Sequence, residues 1–480
     1  MTTPILVGAA TVQQQTQHPG EGVGCEALLV DAVVDAIADA GTGTELASTV
    51  DLVMVTQGLS MLVDGAQRIA QAIGAPRARP VTYQVGIPQQ TLISRAIDAV
   101  RRGEARTVVV AGAETKQRDT VARRAGVTLD RPEPFLEPDE LVTPVGEIVA
   151  RPEVEVGAVL PVQQYALIDN ARRNAMRWTL DEHRDDIAAI WANFNAVAQD
   201  NPLAAFRSPM SAADIREPSD TNPMLAFPYN KWHSSQWTVD QAAALVITST
   251  ETADTFAIDP DRRVFPHVGV ESSQSLSLAR RADLHRWPAM AVLGRAAQRH
   301  IGRPLSTVDY VELYSCYPAA VRVQQAELGL APAAPATITG GMTFAGGPFN
   351  NFVFQATAAM VSRLRADPGA MGLVTAVSGL LTKPGLAVWS TAAPAAPVLL
   401  ADLVDEATAE TPVAPLDENP VGSGTIATYT VAGERIAAIV DLDSGSRAVA
   451  ALDDPGAAAE ACRHDLIGTR VGVVGRSFAL

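Results

Sequence analysis

The chain has 480 residues, 47% of them hydrophobic and 19% charged, which predicts about two or three domains and excludes a disordered polymer. Its formal net charge of −16 argues against nucleic acid as a partner, because an acidic surface repels phosphates. No unbroken apolar run reaches the roughly 18 to 20 residues of a membrane span, and no basic stretch precedes the first apolar run. We therefore expect a cytoplasmic protein without a membrane span.

The cysteines and histidines are too dispersed to form a disulfide framework or a metal site. Cys25, Cys316 and Cys462 are far apart, and the seven histidines show no close pair. The sequence predicts neither a metal ion nor a cofactor.

Strand and helix patterns alternate over the first 115 residues. Strands are predicted at 5–12, 51–57, 79–85 and 106–112, and helices at 27–40 and 89–102. This alternation is typical of an α/β fold with a mainly parallel sheet and helices on its faces. The texture then changes over 115–228, where a polar, proline-bearing segment precedes two long helices at 160–178 and 181–199. We interpret 115–228 as an insertion lying over the sheet.

A second α/β run covers 264–390 and resembles the first in the order of its parts. Each run has a strand, a tight glycine turn, a helix and a buried strand. One interpretation is two similar halves about a pseudo-twofold axis, and the other is a coincidence common among α/β proteins. We place the halves at 1–255 and 256–395. Residues 396–420 are predicted to be a linker, and 421–480 to be a small antiparallel barrel or sandwich.

Four segments, in this order, resemble the thiolase superfamily. They are Gly103-Glu104-Ala105 with the strand after it, the run 239–246, Val311-Glu312-Leu313-Tyr314-Ser315-Cys316-Tyr317 and Gly340-Gly341-Met342-Thr343-Phe344-Ala345-Gly346-Gly347-Pro348. The resemblance covers about residues 4–390 and implies a five-layered core of two halves, with a loop domain inserted in the first. Residues 421–480 are similar to the OB-fold domains that accompany thiolase-like chains.

The sequence departs from that family at each catalytic position. The resemblance places the nucleophilic cysteine at Gly86, the catalytic histidine at Gly347, and the last catalytic cysteine at Val377 or Ser378. Covalent Claisen chemistry needs an activated thiolate, which these residues cannot supply. We therefore predict that the protein is not a working thiolase.

Tyr314 is the candidate catalytic residue. It follows a core strand where the family presents a polar side chain, so it could donate a hydrogen bond to a thioester oxygen or act as an acid or base. The alternative is a tyrosine that fills the space left by lost catalytic groups. A related branch of the superfamily cleaves β-hydroxyacyl-CoA by a retro-aldol reaction, without the cysteine and with an OB-fold partner. We expect Cys316 to be buried and inert.

Two further groups of residues are candidate ligand contacts. The amides of Gly346 and Gly347 could bind an oxyanion at a helix start, or the two glycines could serve only close packing. The resemblance implies that the insertion holds the phosphates and pantetheine of CoA. The candidates for this role, which could instead form a solvated helix face or pack internally, are Arg172, Arg173, Arg177, Lys231 and His233.

The sequence thus leaves two functions open. One is a non-thiolase acyl-CoA protein in lipid metabolism, either an acyltransferase-family enzyme or a retro-aldol lyase, with a CoA thioester as ligand. The other is a catalytically inactive scaffold that pairs with a thiolase-like or OB-fold chain.

Overall fold

The computed structural model of the protein describes residues 2–130 and 138–480. Its strands are β1 (Pro4–Gln14), β2 (Val50–Thr56), β3 (Arg79–Tyr83), β4 (Thr107–Thr115), β5 (Glu140–Val142), β6 (Met224–Ala226), β7 (Tyr229–Asn230), β8 (Asp240–Ser249), β9 (Phe265–Glu271), β10 (Tyr310–Glu312), β11 (Met371–Ser378), β12 (Lys383–Ser390), β13 (Leu399–Asp402), β14 (Val421–Ala432), β15 (Arg435–Leu442), β16 (Arg447–Asp453), β17 (Arg470–Val474) and β18 (Ser477–Ala479).

The helices connect and cover these strands. They are α1 (Cys25–Asp39), α2 (Gly65–Ala72), α3 (Gln89–Arg102), α4 (Lys116–Arg124), α5 (Arg151–Glu155), α6 (Pro161–Ala175), α7 (Leu180–Asp200), α8 (Ala212–Arg216), α9 (Thr250–Thr255), α10 (Pro288–Ile301), α11 (Pro318–Leu328), α12 (Gly341–Phe344), α13 (Phe352–Ala366), α14 (Val404–Glu410) and α15 (Pro455–Ala461). Among the described residues, no helix is long and apolar enough to cross a membrane.

Two sheets form the core. The first has the strand order β1-β8-β4-β2-β3-β5, and the second has the order β10-β11-β12-β9-β13. Every residue of β4 and β8 is buried, because helices cover both faces of the sheet, and such strands appear in sequence as unbroken apolar runs. This explains why their sequence patterns predicted the sheet.

The helices complete a five-layered α/β arrangement. Helices α1 and α2 pack on the outer face of the first sheet, and α10 packs on the second sheet. Between the sheets lie α3 and α13, each of which contacts strands of both. Helix α3 ends at Gly103, whose φ of 72° is the left-handed conformation that favours glycine. The predicted fold class is confirmed.

Some short strands differ from the sequence-based expectation. No strand was expected inside 115–228, yet β5 pairs in parallel with β3 at the edge of the first sheet, and β6 pairs with β7. Residues 396–420 are not simply a linker, because β13 pairs with β9 and α14 packs on α10. Strands of three and four residues are too short to show a period in the sequence.

The C-terminal strands form a closed barrel in the order β14-β15-β16-β18-β17. The barrel is docked on the insertion, where Asn170 Nδ2 donates to the Tyr429 carbonyl at 2.8 Å and Thr428 Oγ1 donates to the Leu167 carbonyl at 2.6 Å. Phe227, from the insertion, belongs to the apolar core of the barrel and stacks on the Tyr429 ring at 6.2 Å. The predicted barrel is confirmed, and the exact domain limits stay a prediction.

Candidate functional site

Gly86, the expected nucleophile position, lies three residues before α3 and has a φ of 102°. A Cβ atom at Gly86 would lie 3.0 Å from Pro144 Cβ and 3.1 Å from Pro144 Cγ. Lys383 Nζ donates to the Gly86 carbonyl at 3.3 Å and to the Val145 carbonyl at 2.8 Å. Segment 144–145 is therefore held over the position that would carry a nucleophile.

Lys383 is a buried residue that the sequence analysis missed. Its side chain is 3% exposed, and burial lowers its pKa. It begins β12 directly opposite Ser378, one of the two expected positions of the last catalytic cysteine. The rarity of lysine was the signal available in the sequence, since the chain has only three, Lys116, Lys231 and Lys383.

Neighbouring residues also pack closely against the end of β11. Val377 is buried, and Ser378 accepts a hydrogen bond from Thr382 Oγ1 at its carbonyl, at 3.0 Å. A Cβ at Gly379 would lie 2.2 Å from Thr382 Oγ1 and 3.0 Å from Ile148 Cγ2. Thr382 and Ile148 thus occupy the space next to this hairpin.

The prediction that the Gly347 amide is free for an oxyanion is wrong. Gly347 N donates to the Gln236 carbonyl at 3.0 Å. A Cβ at Gly347 would lie 1.9 Å from Ser235 Oγ, and one at Gly346 would lie 2.5 Å from Gln241 Oε1. Helix α13 begins only at Phe352, so this turn does not open it. Close packing accounts for both glycines.

Tyr314 is half-buried at the end of β10. Its amide donates to Thr375 Oγ1 at 2.8 Å, and its ring meets Phe352 edge-to-face at 6.1 Å. Burial, reinforced by Cys316 and Tyr317, raises the pKa of Tyr314 far above its usual range. At neutral pH this tyrosine stays protonated, so it can donate a hydrogen bond but cannot act as a base. Cys316 is buried as expected, and burial raises its pKa to about 12.

A cluster of tyrosines occupies the centre of this region and was not predicted. Tyr317 stacks between Tyr165 at 4.7 Å and Tyr229 at 5.6 Å. The Tyr229 hydroxyl donates to Asp169 Oδ2 at 2.6 Å, and Asp169 Oδ1 lies 3.1 Å from His183 Nε2. Burial opposes ionisation of Asp169, but His183 and nearby Arg172 hold its pKa below the usual value. The signal available in the sequence was the spacing of Tyr165 and Asp169, which lie four residues apart on one face of α6.

Known structures share this architecture. A monomeric SCP2-thiolase-like protein type 1 from Mycobacterium smegmatis superposes with a TM-score of 0.85 at 26% identity, over 99% of this chain and 98% of that chain. The protein has a thiolase-like fold with a C-terminal barrel. Comparison with protein-family models gave no match, and neither did comparison with curated proteins.

More distant structures agree on the fold of this thiolase-like protein. The Ltp2-ChsH2(DUF35) aldolase gives a TM-score of 0.59 at 18% identity, over 81% of this chain and 98% of that chain. Human mitochondrial 3-ketoacyl-CoA thiolase gives 0.58 at 15% identity, over 82% and 99%. At these identities the likeness concerns the fold alone.

Two of the three arginines expected to bind CoA phosphates have partners within the thiolase-like protein. Arg173 is 2% exposed, and its Nη2 donates to Asp465 of the barrel at 2.6 Å. Arg172 lies over the Trp178 ring at 5.0 Å and within 3.8 Å of Asp169. Burial and the pair with Asp465 disfavour a ligand role for Arg173, whereas the assignment of Arg172 stays a prediction. Arg177, just past α6, is exposed.

His233 does not reach a ligand position either. It is 1% exposed, and its Nδ1 accepts a hydrogen bond from the Asn230 amide at 3.1 Å. Burial, strengthened by His183, lowers the pKa of His233 to about 3, so its imidazole is neutral. The ligand prediction for His233 is wrong, and the packing alternative holds. Lys231 is half-buried, with its Nζ 4.9 Å from the Trp232 ring centre.

One open space in this thiolase-like protein adjoins the barrel, and its lining does not include the expected catalytic positions. Among the described residues, a cavity of about 330 Å³ lies between the end of α6, the loop 282–285 and the barrel. Its polar lining is supplied by Asn174, Asp283, His285, Asp441 and Arg447. We call it the junction cavity.

Proposed function

We propose that the protein binds acyl-CoA thioesters without carrying out thiolase chemistry. The observation that supports this most directly is that Gly86 has no side chain to attack a thioester and that Pro144 covers it. The thiolase-like fold supports the acyl-CoA part of the proposal.

The cysteines support the absence of thiolase chemistry. Burial raises the pKa of Cys25 and of Cys316 to about 12, and it also raises the pKa of Cys462. These are all the cysteines of the chain. At neutral pH none of them supplies the thiolate that attack on a thioester requires.

The junction cavity is the place we propose for the ligand. Its volume of about 330 Å³ lies within the range of small-molecule sites, and its lining combines apolar side chains with a few polar groups. Asn174 and Ala175 line it from the last turn of α6, and exposed Arg177 follows them. We assign Arg177 to a phosphate of CoA, because a guanidinium offers phosphate two parallel hydrogen bonds.

Calorimetric titration tests the proposal, with CoA, acetyl-CoA and a long-chain β-hydroxyacyl-CoA as ligands. We expect a Kd in the micromolar range for the wild type. Ala175→Phe fills the cavity from an exposed position and should abolish binding. Arg177→Met should weaken binding about tenfold, which is the effect of about 1.4 kcal/mol. Arg299→Met, at an exposed position near the far end of α10, is the control and should change nothing.

The other function, an inactive scaffold, is favoured by a different observation. The stacked tyrosines and the closely packed glycines are contacts within the protein, which suit a scaffold. Absence of binding to all three ligands would reject the acyl-CoA proposal and leave the scaffold. The next step would then be a search for a thiolase-like or OB-fold partner.

Retro-aldol cleavage is the chemistry left to test if the ligands bind. Tyr314 is half-buried and protonated at neutral pH, so its one available role is hydrogen-bond donation to a thioester oxygen. Cleavage of the β-hydroxyacyl-CoA by the wild type, and its loss in Tyr314→Phe, would assign that role. Equal cleavage in both proteins would exclude it.

A further inference from the structure

A small cavity, partly open to solvent, lies in the second half of the core and shares Asp283 with the lining of the junction cavity. Its volume is about 20 Å³, and it lies where the loop before α10 meets the β11–β12 hairpin and residues 411–412. Arg281, Trp287 and Thr382 are among its lining residues. The three segments are distant in sequence, so whatever fills this space connects them.

Two buried N–H donors in the cavity wall have no acceptor among the described residues. Arg281 is 5% exposed. Its Nε donates to the Leu276 carbonyl at 3.3 Å, and its Nη2 donates to the Leu380 carbonyl at 2.5 Å. Its Nη1 has no partner among the described residues. Trp287 is 3% exposed, and its Nε1 also has no partner. Because an indole and a guanidinium can only donate, both need a group that accepts.

The charge of Arg281 is also uncompensated at close range. Among the described residues, no carboxylate lies within ion-pair distance of its guanidinium, and burial lowers its pKa to about 10. Glu153 acts on this charge at longer range, and both of its oxygens accept backbone amides, from Ala150 at 2.5 Å and from Ala279 at 3.1 Å. A buried charge without a counterion is strongly unfavourable.

The start of α10 forms another part of the cavity wall. Trp287 and Pro288, which begin the helix, both line the cavity, and helix N-termini favour negative charge. The Trp287 amide already donates to Glu327 Oε1 at 2.8 Å, so the indole is the donor left for a ligand. Asp283 also lines the cavity, but it is exposed.

From these contacts we infer that the cavity binds one small monovalent anion of about the size of chloride, held by Arg281 Nη1 and Trp287 Nε1. A volume of about 20 Å³ admits roughly one water-sized sphere, which suits a monatomic anion better than phosphate, sulfate or an organic carboxylate. The anion would connect the loop before α10 to the hairpin and to the segment that leads into the barrel. The inference does not depend on the proposed acyl-CoA function.

Bromide replaces chloride and can be located by anomalous diffraction, so crystals of the whole protein grown in bromide give the first test. We expect an anomalous peak within hydrogen-bond distance of Arg281 Nη1 and Trp287 Nε1. We also expect the thermal unfolding midpoint to rise saturably when chloride replaces gluconate at constant ionic strength, since gluconate is too large for the cavity.

Conservative variants separate this site from general salt effects. Trp287→Phe removes the indole N–H together with the pyrrole ring that carries it, and should abolish the chloride-dependent rise of the unfolding midpoint. Arg281→Met should do the same if the variant folds. The matched control is Trp389→Phe, because Trp389 is also buried with an unpartnered Nε1 but does not line this cavity. It should keep the full chloride response. A water in place of bromide, or an equal chloride response in Trp287→Phe and the wild type, would overturn the inference.

Discussion

At the scale of single residues, the glycines at the lost catalytic positions are packing positions. Pro144 lies against Gly86, Ser235 against Gly347 and Gln241 against Gly346, each closer than a Cβ would tolerate without movement. Restoring a catalytic side chain at Gly86 or Gly347 would therefore require the neighbouring segments to move.

Gly346→Ala tests this close packing. The φ of Gly346 is 102°, and its Cβ would lie 2.5 Å from Gln241 Oε1, whereas Gly369 has a φ of 93° and open space around it. We expect Gly369→Ala to lower the unfolding free energy by about 1–2 kcal/mol through backbone strain. Gly346→Ala should lower the unfolding free energy by a further ~1–3 kcal/mol through overpacking. Equal losses in denaturant unfolding would show that the neighbours of Gly346 yield freely.

His233 predicts a specific pH dependence of stability. Its folded pKa of about 3 lies below the usual value of 6.5, so between these values the unfolded chain takes up a proton that the folded protein does not. Its contribution to the unfolding free energy should fall as the pH is lowered through that window, by about 2–3 kcal/mol between pH 7 and pH 4.5.

His233→Asn provides the measurement, because asparagine does not titrate and keeps an acceptor for the Asn230 amide. The wild-type minus variant difference in unfolding free energy should decrease towards low pH. His464→Asn, at a largely exposed histidine, is the control and should leave the pH dependence of the wild type intact. A pH-independent difference for His233→Asn would contradict a neutral, buried imidazole.

The candidate site could be predicted only in part from the sequence. The family resemblance placed the expected catalytic positions at Gly86 and Gly347, and this placement stays a prediction. The partners of Arg173 and Tyr229 could not, because Asp465 and Asp169 are 292 and 60 residues away from them. Whether an arginine binds a ligand or a carboxylate of its own chain depends on such distant contacts.

At the scale of elements, the barrel is an integral part of the structure. Phe227 of the insertion is 4% exposed within the barrel core, and Arg173 of α6 pairs with Asp465 of the barrel. These contacts tie the barrel to α6 and to the loop before β7.

Phe227→Ala should weaken this docking. Truncation of a buried phenylalanine removes about 3–5 kcal/mol from the unfolding free energy. We expect limited proteolysis to cleave the variant between residues 411 and 420 and to release the barrel, while the wild type resists. Phe206→Ala, at a half-buried phenylalanine elsewhere in the insertion, should not release it. Resistance of Phe227→Ala to cleavage would show that other contacts are enough to keep the barrel docked.

The long elements were predictable and the shortest were not. The buried run of β4 and the amphipathic pattern of α3 each extend over enough residues to show a period. Strands β5 and β13 have three and four residues and join a sheet by pairing in parallel with β3 and β9. Their presence depends on the sheet edge that they meet, which no local pattern encodes.

At the scale of the whole molecule, fold and function follow from different parts of the sequence. The five-layered core follows from repeated apolar strands and helices, which the chain keeps in both halves. The chemistry follows from a few side chains, and their replacement in this chain stays a prediction. This is why the sequence predicted the architecture but left the ligand and the reaction as proposals.

The central claim is that this thiolase-like fold does not carry out thiolase chemistry, and thiolysis of acetoacetyl-CoA by CoA tests it most directly. The purified full-length protein should form acetyl-CoA no faster than a protein-free control, because Gly86 carries no nucleophile and no cysteine supplies a thiolate at neutral pH. Sustained turnover that a thiol-alkylating reagent abolishes would contradict the claim, since one of the cysteines would then have to be the nucleophile.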